Sequence, residues 1–185
     1  MSKKIRVLLC TVFAAMMLAA LMGLAACSSE SNDEEQIESI ITEVFDEVKN
    51  ADDEALNMMA EGASEDDLAT MEQYGISSDD YFRSFFDGFD YSIDSVTVDG
   101  DTATVEITYT SKTMGTFYSA INDIDTSSIT SDSDVGTALL SALDNAEVIT
   151  YGPVSATLTK EDGTWDTEAN GNALAEAWAQ AMASN

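Results

Sequence analysis

Carboxylates are the chemistry this chain holds in excess. Its 185 residues include 35 Asp and Glu against seven Lys and Arg, with no histidine. Paired carboxylates can act as acid and base in hydrolysis of glycosidic bonds, and clusters of them can hold calcium. The spacings that offer either are Asp79-Asp80, Asp99 with Asp101, Asp123 with Asp125, and Asp132 with Asp134. Asp123, Asp125, Asp132 and Asp134 are the best calcium candidates, because they bracket a Ser/Thr segment rich in oxygen ligands. They do not form an EF-hand: a loop opening at Asp132 puts Leu143 where the final Glu belongs. Acids this dense become neighbours by chance, so a solvated face is the simpler reading of all four pairs.

Other chemistries find less support. Lack of histidine removes the commonest general base and metal ligand. A serine nucleophile would need Lys49, Lys112 or Lys160 as its base, and none stands in an S-x-x-K motif. No P-loop and no G-x-G-x-x-G turn is present. Arg83 stands among Tyr81, Phe82, Phe85 and Phe86, where it could bind an anion at the mouth of an aromatic pocket. Pairing with Asp79, Asp80 or Asp87 at helical spacing is the plainer alternative. The aromatic group, with Phe89 and Tyr91, reads first as core, as do Trp165 and Trp178.

The elements that must position these residues follow from periodicity. Ile37, Ile40, Ile41, Val44, Phe45 and Val48 recur at the spacing of an amphipathic helix, with Asp33 and Gln36 as a capping box and Lys49 in the last turn. Further helices are predicted over residues 52–60, from a Ser64 cap to Gly75, and from a Ser77 cap to Gly88. The period then changes. Tyr91, Ile93, Val96 and Val98 lead through Asp99-Gly100 into Ala103, Val105, Ile107 and Tyr109, a hairpin pattern with a bulge expected near Asp94-Ser95. Phe117, Ile121 and Ile124 predict a short helix, and Val135, Leu139, Leu140 and Leu143 another, capped by Asp134. A second hairpin runs from Val148 through a break at Gly152-Pro153 to Leu158, turning at residues 160–163. An alanine-rich helix carrying Leu174, Ala177, Trp178, Ala181 and Met182 closes the chain.

The first 27 residues address the protein. Lys3, Lys4 and Arg6 precede an uncharged, mostly apolar run over residues 7–26, the layout of a secretory signal. Leu24-Ala25-Ala26-Cys27 resembles the lipobox of bacterial lipoproteins. That resemblance implies cleavage before Cys27, a diacylglycerol on its sulfur, and attachment to the extracytoplasmic face of the cell membrane. Removal of residues 1–26 would leave Lys49, Arg83, Lys112 and Lys160 as the cations facing all 35 acids, and no cysteine beyond Cys27. Such a surface repels nucleic acid and anionic head groups. The expected organisation is a leader over 1–26, an acylated Cys and tether over 27–35, and one domain over 36–185.

Helices followed by antiparallel strands predict an α+β fold, with a curved antiparallel sheet of about four strands packed against N-terminal helices and a C-terminal helix. Val96-Thr-Val-Asp-Gly-Asp-Thr-Ala-Thr-Val105 and Leu158-Thr-Lys-Glu-Asp-Gly-Thr-Trp165 resemble the hairpins of NTF2-like (cystatin-like) lipoprotein domains. In that arrangement the helices over residues 37–48 and 81–86 cover the hollow of the sheet. A cleft lined by Phe82, Phe86, Tyr109 and Trp178 would then suit a small apolar ligand. The expectation is therefore a lipid-anchored domain that binds a partner protein or such a ligand without catalysis. The alternatives are a carboxylate-dependent hydrolase of cell-envelope polymers and a calcium-dependent surface module.

Overall fold

The computed structural model describes residues 33–50 and 64–184. The leader, the lipobox and the helix expected over residues 52–60 lie outside them. Within them the fold is α+β: a curled four-stranded antiparallel sheet in the form of a half-barrel, with six helices including one at the C-terminus. The helices are α1 (Asp33–Asn50), α2 (Glu65–Gln73), α3 (Ser78–Phe86), α4 (Met114–Asn122), α5 (Asp132–Asp144) and α6 (Thr167–Ser184). The strands are β1 (Asp90–Asp99), β2 (Thr102–Ser111), β3 (Ile149–Glu161) and β4 (Thr164–Trp165), paired in that order across the sheet.

Local chemistry sets the helix ends. Helix α2 closes in a Schellman motif around Gly75, whose φ is +69°: the Ile76 amide reaches the Met71 carbonyl and the Gly75 amide the Glu72 carbonyl, both at 2.9 Å. Ser77 caps α3, its Oγ accepting from the Asp80 amide at 3.0 Å. At α5 the cap is Ser131 rather than Asp134. Asp134 is instead the third helical residue, and its carboxylate accepts from the Ser131 amide, completing a capping box. Asp33, expected within the tether, already belongs to α1, so the helix takes up Asp33, Glu34 and Glu35.

Both expected irregularities of the sheet are present. The β1–β2 register slips between Ile93 and Ser95, leaving Asp94 as the bulged residue. Between β2 and β3 it slips so that Gly152 and Pro153 both face Thr108, which bends the long strand and changes its inward phase. Inward residues Ala103, Val105, Ile107 and Tyr109 of β2 are all buried, while Thr102, Thr104 and Glu106 meet solvent.

The helices that lie on the sheet are α1, against β1, and α6, against β3, and these two also pack on each other. Helix α3, expected in that layer, packs instead on α5 and sends its rings inward from the side. The terminal helix lies on the sheet through its buried stripe of Leu174, Ala175, Trp178 and Met182. Helix α5 meets α2 through Gly136, where a Cβ would stand 1.9 Å from the Tyr74 carbonyl oxygen. Val135, Leu139 and Leu140 are half-buried.

Candidate functional site

The four rings expected to line a cleft fill the space between the helices and the sheet. Phe82, Tyr109 and Trp178 are each 1% exposed and Phe86 is 8% exposed. Trp178 is central. Its ring centroid lies 5.8 Å from Tyr109, 6.0 Å from Phe86, 5.7 Å from Phe45 and 4.8 Å from Phe89. Offset and edge contacts at these separations are the favourable ones for aromatic pairs. The polar tips are also matched: the Trp178 Nε1 donates to the Tyr151 hydroxyl at 2.9 Å, and that oxygen lies 2.8 Å from Ser111 Oγ. Burial pushes the Tyr109 and Tyr151 phenols up from their ordinary pKa. This is the packing of a core, and it offers almost no ring surface to solvent.

Among the described residues the buried Tyr81 hydroxyl finds no hydrogen-bond partner; its ring lies 5.5 Å from Phe82 and 6.3 Å from Phe85. Burial holds its phenol far above the usual range. A hydroxyl in that state costs stability.

The acidic candidates serve the backbone. Asp134 Oδ2 accepts from the Thr130 amide, the Thr130 hydroxyl and the Ser131 amide at 3.0, 2.8 and 2.9 Å. Asp125 Oδ1 accepts from the Ser127 amide at 2.9 Å and caps a single 3-10 turn, Thr126–Ser128. Those donors hold both carboxyls below the usual pKa: the Thr130 amide foremost for Asp134, and Ser127 for Asp125. Asp123 ends α4 and Asp132 opens α5. Among the described residues no three carboxylates converge as a metal site would require. Arg83 is exposed on α3.

Two lysines, by contrast, are placed with care. Lys112, just past the end of β2, is 1% exposed. Its Nζ donates to the Ser84 carbonyl in the last turn of α3, with Asp87 Oδ2 4.0 Å away. The Ser84 hydroxyl donates to Asp144 at the end of α5. A cation is thus set where two helix C-termini meet, satisfying a carbonyl that the helix leaves open. Burial lowers the Lys112 pKa, opposed by the charges of Asp87 and Asp144. Ser84 and Lys112 are the serine–lysine neighbours absent as a motif in the sequence. Yet the amine engages the Ser84 carbonyl and the Ser84 hydroxyl points to a carboxylate, which is a structural arrangement.

Lys160 forms the other site, with Asp33 and Trp165. Asp33 Oδ2 accepts from Lys160 Nζ at 3.0 Å and Oδ1 from the Trp165 indole at 3.1 Å. The ammonium also lies 5.1 Å from the Trp165 ring centroid. The Lys160 hydrogen bond, then that of Trp165, holds the Asp33 carboxyl below its usual pKa. No sequence pattern marks either lysine, because the partners come from 28 and 127 residues away. No family model, no curated protein and no solved structure matches the chain.

Proposed function

We propose that this chain is a lipoprotein held through Cys27 to the extracytoplasmic face of the cell membrane. Its folded domain works by binding a protein partner at its surface rather than by catalysis. The observation that carries the anchor is the order of Lys3, Lys4 and Arg6, the apolar run, and Leu24-Ala25-Ala26-Cys27. The NTF2-like resemblance of the two hairpins fits a binding domain, and the curled sheet under helices agrees with that arrangement. The filled aromatic interior favours a surface partner over a small apolar ligand. Candidate carboxylates that cap their own backbone favour binding over hydrolysis or calcium. With 35 acids against four remaining cations, the complementary partner has a basic face.

Replacement of Cys27 by Ser tests the reading. The hydroxyl cannot form the thioether, so the variant should accumulate as an unprocessed precursor that takes up no fatty-acid label. Labelling equal to that of the unaltered chain would contradict the anchor.

A further inference from the structure

The clasp of Asp33, Lys160 and Trp165 closes at a particular place: the first residue of the described domain. Three observations fix its geometry. Both oxygens of the Asp33 carboxylate receive donors from the second hairpin, at 3.0 and 3.1 Å. The lysine is itself held, since its backbone amide donates to the Asp101 carbonyl in the first hairpin's turn at 2.8 Å. The strand directions then place one set of turns beside Asp33 and the other set far away. Asp99–Thr102 and Glu161–Thr164 close the two hairpins at the clasp end, while Asp90, Ser111 and Ile149 lie at the opposite end.

Chain length turns this into an orientation. Only five residues, 28–32, separate Cys27 from Asp33. At full extension they reach ~18 Å, whereas a ten-residue strand such as β1 spans ~33 Å. A tether shorter than the domain, leaving from one end of it, keeps that end the nearer to the point of attachment. If the first turn of α1 came loose, four more residues would join the tether and its reach would grow to ~32 Å. The tether would then match the domain in length, and the preference would fade.

We propose that Asp33, Lys160 and Trp165 clamp the exit of the anchor segment, so that the turn-bearing end of the sheet is the surface turned to the lipid. This rests on the anchored reading above. The surface so presented carries Asp99, Asp101, Glu161, Asp162 and Asp166, all exposed. Facing anionic head groups it stands off rather than binds, and salt within a Debye length of ~8 Å brings it closer. The opposite end, with Asp87, Asp144, Glu147 and the exposed Val148, is left open to a partner.

The test uses the isotope-labelled chain from Cys27 to Asn185, coupled through the Cys27 thiol to a maleimide lipid in a nanodisc that also carries gadolinium head groups. Dipolar broadening falls with the sixth power of distance. Amides of Gly100 and Gly163 should therefore be broadened at least tenfold more than those of Asn145 and Val148. Lys160→Met and Asp33→Asn should each shrink that ratio at least threefold while the remaining chemical shifts hold, and exchange should quicken in the first turn of α1. Equal broadening at the two ends of the unaltered chain would overturn the orientation. A ratio unchanged in both variants would overturn the clamp. Because the lipid is attached chemically, a failed acylation in cells would count against the anchor and leave this result standing.

Discussion

At one end of the sheet Lys160 meets a carboxylate at 3.0 Å and an indole ring, with 16% of its side chain exposed. At the other end Lys112 is 1% exposed and donates to a neutral carbonyl, its nearest ion-pair partner 4.0 Å off. The consequence reverses between them. Beside Lys160 the Asp33 carboxyl is held below its usual pKa, first by the lysine's hydrogen bond and then by that of Trp165. Around Lys112 it is the lysine that moves, also downward, because loss of water outweighs Asp87 and Asp144. A cation that keeps some contact with water joins two segments at little cost, whereas a cation without water must be matched by the helix ends around it.

The sharpest break in that comparison is at Lys112. Lys112→Ala should destabilise the domain by ~3 kcal/mol, because it removes the buried stem and leaves the Ser84 carbonyl unmet. Lys112→Met keeps most of the volume but leaves the same carbonyl unmet, and should cost ~1–2 kcal/mol. Urea titrations of both variants separate stem from charge. Both variants should also differ from the unaltered chain in alkali. The folded pKa of Lys112 lies below its ordinary 10.5, so the unfolded chain binds the proton more tightly. Stability contributed by this site therefore rises with pH between the two values, and that rise should vanish in Lys112→Met. Asp33 has the same sign at the acid end: its contribution is present above its ordinary 3.8 and is lost as pH falls through the lowered folded value.

A smaller effect, of opposite sign, belongs to the interior between the two ends. Tyr81→Phe removes a buried hydroxyl that has no partner among the described residues. The variant should gain ~1 kcal/mol, read as a melting temperature ~2–4 °C higher. A lower melting temperature would mean that the hydroxyl is matched in solution, most simply by a buried water.

What was legible in the sequence is what depends on neighbours along the chain. Asp99-Gly100 and Asp162-Gly163 both mark hairpins, and alternation across Tyr91–Val98 placed a bulge near Asp94-Ser95, where the register slips at Asp94. Even so, the same dipeptide is used twice in different ways. Gly100, with φ +64°, is the first central residue of a two-residue loop closed by Asp99 and Thr102. Asp162 and Gly163, at φ 52° and 80°, are both central, the geometry of a type I′ turn. At α5, Ser131 and Asp134 are both capping residues, and only the geometry shows which one precedes the helix. Long-range pairings were hidden for a different reason. Lys112, Lys160 and Trp165 have ordinary local contexts, and their roles come from partners that the fold delivers from elsewhere. The ring cluster was legible as a set, but whether it lined a cleft or filled one depended on α6 lying over the sheet in the place expected for α3.

The central claim is that Cys27 becomes the amino-terminal, lipid-bearing residue of a folded domain that begins a few residues later. The most direct measurement is the intact mass of the protein extracted from the membranes of a bacterium that expresses the full chain. The account predicts a chain starting at Cys27 and heavier than its amino acids by a diacylglyceryl group, with any further acyl chain on the new amino terminus. A chain that still carries residues 1–26 and a bare thiol would contradict it.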